Sequence, residues 1–207
     1  MTANTLAGSR TLTRKGLATR HRIVAATAEL ILEHGTEGTK LEDIQAAAHV
    51  SASQLYHYFD DKSALILAVI DHQTDAVLGA QRTVLEGLDS FAALDAWREV
   101  IVASIESMHC VGGCPLGSLV GSLAESDPIA RAALARSFAR WQHLLQSGLE
   151  TMRERGDLRA DIDTDALALG ILAGIQGGLL LSQTRRDSSA VRTALDLSIA
   201  YLRTLRP

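Results

Sequence analysis

Apolar residues recur every three or four positions along nearly the whole chain, and no stretch shows the strict alternation of a half-buried strand. Helices are therefore predicted throughout. The first spans residues 19–34, with Ile23, Ala26 and Leu30 on one face, and Gly35 ends it. Two short helices follow, over residues 39–48 and 51–59. Each opens with a capping box, in which an N-cap hydroxyl and the side chain three residues on satisfy each other's backbone amides. The first pairs Thr39 with Glu42, and the second pairs Ser51 with Gln54. Val50 and Leu55 frame the second as a hydrophobic staple.

Longer helices are predicted over residues 61–85, 90–108, 128–155, 163–184 and 188–204, with a short one over 116–124. Asp127 before Pro128 is a strong start signal, because proline fits the first helical turn. No internal repeat is visible. The fold class is all-α, with a helix-turn-helix in the first third and a larger helical part behind it. The domains expected are a flexible basic arm (1–18), a three-helix reading unit (19–64) and a helical ligand-binding and dimerisation domain (65–207).

Composition supports this and adds little: hydrophobic residues make up 47% of the 207, with few aromatics and three prolines. Charge changes the picture. The net value of −4 argues against nucleic acid, but Arg10, Arg14, Lys15, Arg20 and Arg22 all precede the first acid, Glu29. Local charge decides phosphate attraction, and the acidic excess lies in residues 65–207. The most apolar stretch, residues 166–181, is shorter than the roughly 20 residues that span a bilayer and reads as a helix buried in protein. The N-terminus lacks a signal-peptide pattern, so the expected location is the cytoplasm, with no membrane partner.

The helix over residues 51–59 carries the chemistry. Leu55 and Phe59 share one face, which should pack on the first helix, leaving Ala52, Ser53 and Gln54 at the leading tip. Small or flexible residues there let the tip approach base edges; Gln pairs with adenine, and Ser donates or accepts. Tyr56 and Tyr58 carry hydroxyls that reach phosphate oxygens, which fix register. Lys62 begins the next helix, where a cation opposes the dipole unless it faces an anion, and the free amides there would help hold a phosphate.

Gly35, Thr39, Lys40, Leu41, Glu42, Asp43, Ile44, Val50, Ser51, Leu55, Tyr56, His57, Tyr58, Phe59, Lys62 and Leu65 together closely resemble the N-terminal signature of TetR/AcrR-type transcriptional regulators. Cys114, Pro115, Leu116, Gly117, Ser118 and Leu119 resemble a segment in the C-terminal half of one subgroup. The resemblance implies a homodimeric repressor that a small ligand releases from a palindromic double-stranded operator. It also implies DNA contacts from Thr39, Lys40, Ser51, Ala52, Ser53, Gln54, Tyr56, Tyr58 and Lys62. Two positions depart from the family's pattern. His49 stands where glycine is usual in the turn, and histidine tolerates left-handed geometry better than most residues. Gln45 stands where alanine is common and is expected to be partly exposed.

The last two helices are the expected dimer interface, through Leu167, Ile171, Gly174, Gly178, Leu195, Ile199 and Leu202, the glycines permitting close approach. The middle helices are expected to enclose a ligand pocket, with Trp97, Met108, Phe138, Trp141 and Leu145 as walls and His109, Gln142 and Gln176 as polar contacts. Core packing is the competing reading for those aromatics. Cys110 and Cys114, with His109, match no common zinc spacing; they read as packing residues, with a thiol redox switch as the alternative. No cofactor and no metal is expected. An enzyme is disfavoured, because no catalytic triad, phosphate-cradling loop or metal-ligand pair is visible, and Asp161, Asp163 and Asp165 lack the glycine and glutamate of an EF-hand. A helical interaction module without DNA binding remains the other alternative.

Overall fold

The computed structural model describes residues 12–207, which are helical almost throughout. Among them stand α1 (Arg14–Gly38), α2 (Leu41–Ala48), α3 (Ala52–Tyr58), α4 (Lys62–Glu86), α5 (Phe91–Ser107), α6 (Pro115–Leu123), α7 (Pro128–Glu154), α8 (Thr164–Arg185) and α9 (Ser189–Thr204). They form two compact units that divide between Leu65 and Ile66. Residues 1–11 of the expected arm lie outside the described residues.

In the first unit, α1 starts five residues earlier than periodicity suggested. Thr13 is its N-cap, and the Thr13 hydroxyl accepts from the Gly16 amide at 3.2 Å. That places Arg14 and Lys15 on a helix and corrects the expectation of a flexible arm there. Gly35 takes φ 74°, kinking the chain where the sequence called for a stop. The core is Ile23, Val24, Ile31, Ile44, Ala48, Leu55 and Phe59, all buried. Burying side chains of this size contributes about 1.5–3 kcal/mol each. Arg20 lies over the Phe59 ring at 5.1 Å, so α3 is pinned to α1 through its last aromatic.

The expected Thr39–Glu42 capping box does not form. Lys40 is the N-cap of α2 and gives no side-chain cap, while the Thr39 hydroxyl donates back to the Gly35 carbonyl at 2.7 Å. The threonine is spent closing the kink at the end of α1.

In the second unit, α8 packs against α7 and α9, α5 packs on α9, and α6 packs on α7. The α8–α9 approach is set by Gly178: a Cβ there would sit 2.6 Å from the Val191 Cα. The Ser182 hydroxyl accepts from the Val191 amide at 3.2 Å at the same crossing. Outside, Arg192 grips Glu99 with both terminal nitrogens at 2.9 and 3.1 Å, Arg98 reaches Asp196 at 2.8 Å and Arg203 reaches Asp95 at 2.6 Å, so α5 is tied three times to α9. Asp127 caps α7 as expected, accepting from Ile129 and Ala130 at 2.9 Å.

Between α5 and α6 the backbone turns through four left-handed residues: His109, Cys110, Gly112 and Gly113. Two of them carry a Cβ, which costs roughly 1–2 kcal/mol each. The loop is held from outside, since Arg186 donates to the Cys110 carbonyl at 3.2 Å. From within, Gly113 lies close against the end of the Gln183 side chain, where a Cβ would sit 2.5 Å from Oε1.

Candidate nucleic-acid interface

Residues 45–54 form the turn and the tip that the sequence pointed to. His49 adopts φ 51°, ψ 52°, the left-handed geometry that glycine would supply, and its amide bonds back to Ala46 and Gln45. Arg22 reaches over from α1 and donates to the Ala48 carbonyl at 2.8 Å, a cation on the negative end of α2. Gln45 is half-buried.

α3 then begins with both halves of its capping box in place: the Ser51 hydroxyl accepts from the Gln54 amide at 3.2 Å, and the Gln54 Oε1 accepts from the Ser51 amide at 2.9 Å. Leu55 and Phe59 are buried beneath it, while Ser51, Ala52, Ser53, Gln54 and Tyr56 are exposed and Tyr58 half-exposed. His57 packs edge-on to Tyr58 with centroids 5.0 Å apart. Lys40 is exposed at the start of α2. One seven-residue helix thus presents small polar side chains at its tip with hydroxyl aromatics behind them.

Two of the expected contact residues stand differently. Thr39 is 2% exposed and its hydroxyl is engaged with Gly35, so its side chain is not part of the exposed surface. The Lys62 ammonium donates to the Thr36 and Thr39 carbonyls at 3.3 and 3.4 Å. The lysine braces α4 against the end of α1, which answers why a cation sits at a helix N-terminus without invoking an anion. The amide expected to help hold a phosphate there is capped by the protein itself, with Ala64 donating to the Asp61 Oδ1 at 2.7 Å.

In the second unit, α4, α5, α7, α8 and the α5–α6 loop line a cavity of about 240 Å³ that opens to solvent. Of the residues expected there, Met108 and Trp141 line it. Gln176 lies beside its Cys114 wall. Trp97 is core, donating from Nε1 to the Gln81 Oε1 at 2.9 Å, and Leu145 is fully buried away from the cavity. Phe138 is half-buried and does not line it; Gln142 turns outward to bond Asp165 at 2.7 Å; His109 is exposed. The missed lining comes from α4 and α5: Gln73, Ala76, Val77, Ala80, Gln81, Val100, Ile101, Ser104 and Ile105. A signal existed in the sequence. Gln73 and Gln81 interrupt the core stripe of α4 on either side of Val77, at i, i+4 and i+8.

Most of the expected dimer residues are turned into their own subunit. Ile171, Gly178, Leu195, Ile199 and Leu202 are buried inside the subunit, Gly174 faces Ala194 and Ser198 of α9, and Leu167 is half-buried. The exposed apolar side chains of these helices are Leu169, Leu180 and Leu181 on α8 and Leu197 and Tyr201 on α9. α8 is long and apolar enough, by length and composition alone, to cross a membrane, yet only 39% of its most apolar window is buried. Both faces of α8 are apolar, and only one is covered by its own subunit.

Residues 23–69 match the family described as bacterial regulatory proteins, tetR family. Residues 90–197 match the tetracyclin repressor-like C-terminal domain. An HTH-type transcriptional regulator of Lactococcus lactis is 30% identical over 86% of this chain and 90% of its own length. The HTH-type transcriptional repressor DhaR of a Mycobacterium species is 28% identical over 81% of this chain and 84% of its own. Among solved structures, a TetR transcriptional regulator from Chloroflexus aurantiacus superposes with a TM-score of 0.75 at 26% identity, covering 94% of this chain and 98% of that one. Regulators of this kind bind DNA operators and small-molecule effectors and function as dimers. With its exposed reading tip on a buried anchor and both family domains matched over most of its length, the chain belongs to the TetR family of DNA-binding transcriptional regulators.

Proposed function

We propose that this protein is a cytoplasmic homodimeric repressor that occupies a palindromic operator and leaves it when a small molecule fills the cavity of the second unit. The observation that carries the reading is the α3 tip: Ser51, Ala52, Ser53, Gln54 and Tyr56 exposed over buried Leu55 and Phe59. Ser53 and Gln54 read base edges, and Tyr56, Tyr58 and Lys40 hold phosphates. Because the Gln54 Oε1 is engaged by the Ser51 amide, its Nε2 is the free donor, which suits acceptors such as guanine O6 or thymine O4.

A second copy covers the exposed face of α8 and α9. Leu169, Leu180, Leu181, Leu197 and Tyr201 leave apolar side chains of both helices exposed for a partner to cover, and Gly177 adds a side-chain-free position on α8 where a helix can approach closely. Two-fold pairing sets two reading helices one helical turn of DNA apart. The Cys114–Leu119 segment that resembles one subgroup contributes Cys114 and Pro115 to the cavity wall, consistent with a role in effector response. Release follows from population shift: a ligand that binds better to a conformer with misplaced reading helices draws the dimer toward it. The redox alternative loses support. Both thiols are buried, and burial pushes the Cys114 thiol up, away from the thiolate.

The test is an electrophoretic shift with DNA from upstream of its own gene at low salt. A shift that weakens steeply with added salt is expected from phosphate contacts. A folded dimer that shifts none of this DNA refutes the reading.

A further inference from the structure

The cavity of the second unit has an unusual wall. None of its lining residues is charged: α4 and α5 supply glutamines, a serine and aliphatic side chains, and the loop and α6 supply Gly113, Cys114 and Pro115. Into this lining comes Trp141, 2% exposed, whose indole Nε1 is buried and has no hydrogen-bond partner. An indole N–H can only donate. A buried donor left unpaired is costly, and such orphans are rare in folded proteins. The contrast with Trp97 is internal. That indole is equally buried, and it donates to the Gln81 Oε1.

Size and charge narrow the occupant. At about 30 Å³ per water in the liquid, 240 Å³ is the room of roughly eight waters, which suits a molecule of about ten heavy atoms. With no lysine, arginine or histidine on the wall, a carboxylate entering the cavity would find neutral donors but no counter-charge to offset its lost hydration. With no aspartate or glutamate, an ammonium would fare the same.

Resting on the effector reading above, we propose that the effector is a small neutral, mainly apolar carbonyl compound whose oxygen accepts a hydrogen bond from the Trp141 indole. The apolar body lies against Val77, Ile101, Ile105 and Leu179, and the oxygen supplies the acceptor that the fold withholds.

Three probes of the same size separate the terms: acetophenone, which has the acceptor; isopropylbenzene, which lacks it; and benzoate, which is charged. The readout is the pair of indole N–H resonances in the ¹⁵N-labelled full-length protein, one per tryptophan. Acetophenone is expected to move the Trp141 resonance downfield while the Trp97 resonance, bonded in the core, stays near its place. Isopropylbenzene is expected to bind about tenfold more weakly, and benzoate not at all. Trp141→Phe is expected to reduce acetophenone affinity about tenfold and remove the difference between the two neutral probes, with the Trp97 resonance reporting that the fold persists.

Equal binding of acetophenone and isopropylbenzene, or tighter binding of benzoate, would overturn the class of ligand. So would an unmoved Trp141 resonance at saturation. The effector reading is judged separately, by whether occupancy of the cavity lowers operator affinity. A protein that prefers benzoate and still releases DNA sinks the carbonyl proposal alone.

Discussion

Lys62→Met separates a brace from a phosphate contact. The ammonium makes two bonds to main-chain carbonyls, at 3.3 and 3.4 Å, from an exposed position. Bonds to a charged donor contribute about 1.5–3 kcal/mol when short and buried. Long and solvated, the pair belongs nearer the range of about 0–1 kcal/mol found for exposed charges. Methionine keeps the stem and removes a cation from the positive end of α4, which offsets part of the loss. The net cost is about 0.5–1 kcal/mol, or roughly 1–4 °C in melting temperature for a chain of this size. Operator affinity should fall modestly at every salt concentration, because the end of α1 loses its tie to α4. The slope of log affinity against log salt should stay as it was. A lysine that neutralised a phosphate would behave in the reverse way: its removal would flatten the slope by about 0.9 per subunit, hence about 1.8 for a dimer, with little change in melting. Calorimetry and a salt titration on the same preparation decide it, and a flattened slope with an unchanged melt would refute the brace.

Gly178→Val should cost about 1–3 kcal/mol in thermal unfolding, since its Cβ would meet the Val191 backbone, whereas Gly79→Ala, with open space around it at an exposed position of α4, should be neutral or slightly stabilising; equal melts would contradict the packing account. Leu197→Glu, on the exposed face of α9, should give a folded monomer in sedimentation, and Leu195→Glu, two residues away and buried, should prevent folding as followed by circular dichroism. A disulfide reagent at pH 8 should label neither cysteine in the native protein and both after denaturation; one fast thiol in the folded state would revive the redox reading. Hydrogen bonds from Arg192, then Arg98, hold the Glu99 carboxyl below its ordinary range. Its contribution is therefore present above the unfolded value near 4.3 and is lost as pH falls through the lower folded one. Glu99→Gln should flatten the pH dependence of melting in that acidic window, and an unchanged profile would count against the pairing.

How much the sequence disclosed depended on how local each determinant was. The Ser51–Gln54 box was legible because all its partners lie within one turn, and His49 was legible because the turn demands a left-handed residue whatever surrounds it. The matching pattern at Thr39 and Glu42 misled, because Thr39 had a closer acceptor in Gly35 once the chain kinked. That kink is invisible to a pattern search. At Lys62 the bracing role was not legible, because its partners, the Thr36 and Thr39 carbonyls, lie more than twenty residues back. On α8 the difficulty was physical ambiguity. Leucines and small residues occupy both faces, so periodicity could not say which face meets α9 and which meets water. In the cavity, large aromatics drew attention, although Trp97 is core and the walls are mostly aliphatic side chains of α4 and α5.

The loop after α5 has a consequence for how this protein could acquire a new signal. Its contribution to the cavity at Gly113 is main chain in a left-handed turn at φ 61°, a conformation that strains any residue with a side chain. That part of the wall cannot be re-cut one substitution at a time. Positions such as Ala76, Ala80 and Ser104, small side chains on regular helices, can be enlarged or made polar without disturbing the backbone. Descendants that answer to different molecules should therefore differ mainly on α4 and α5, while the turn stays frozen.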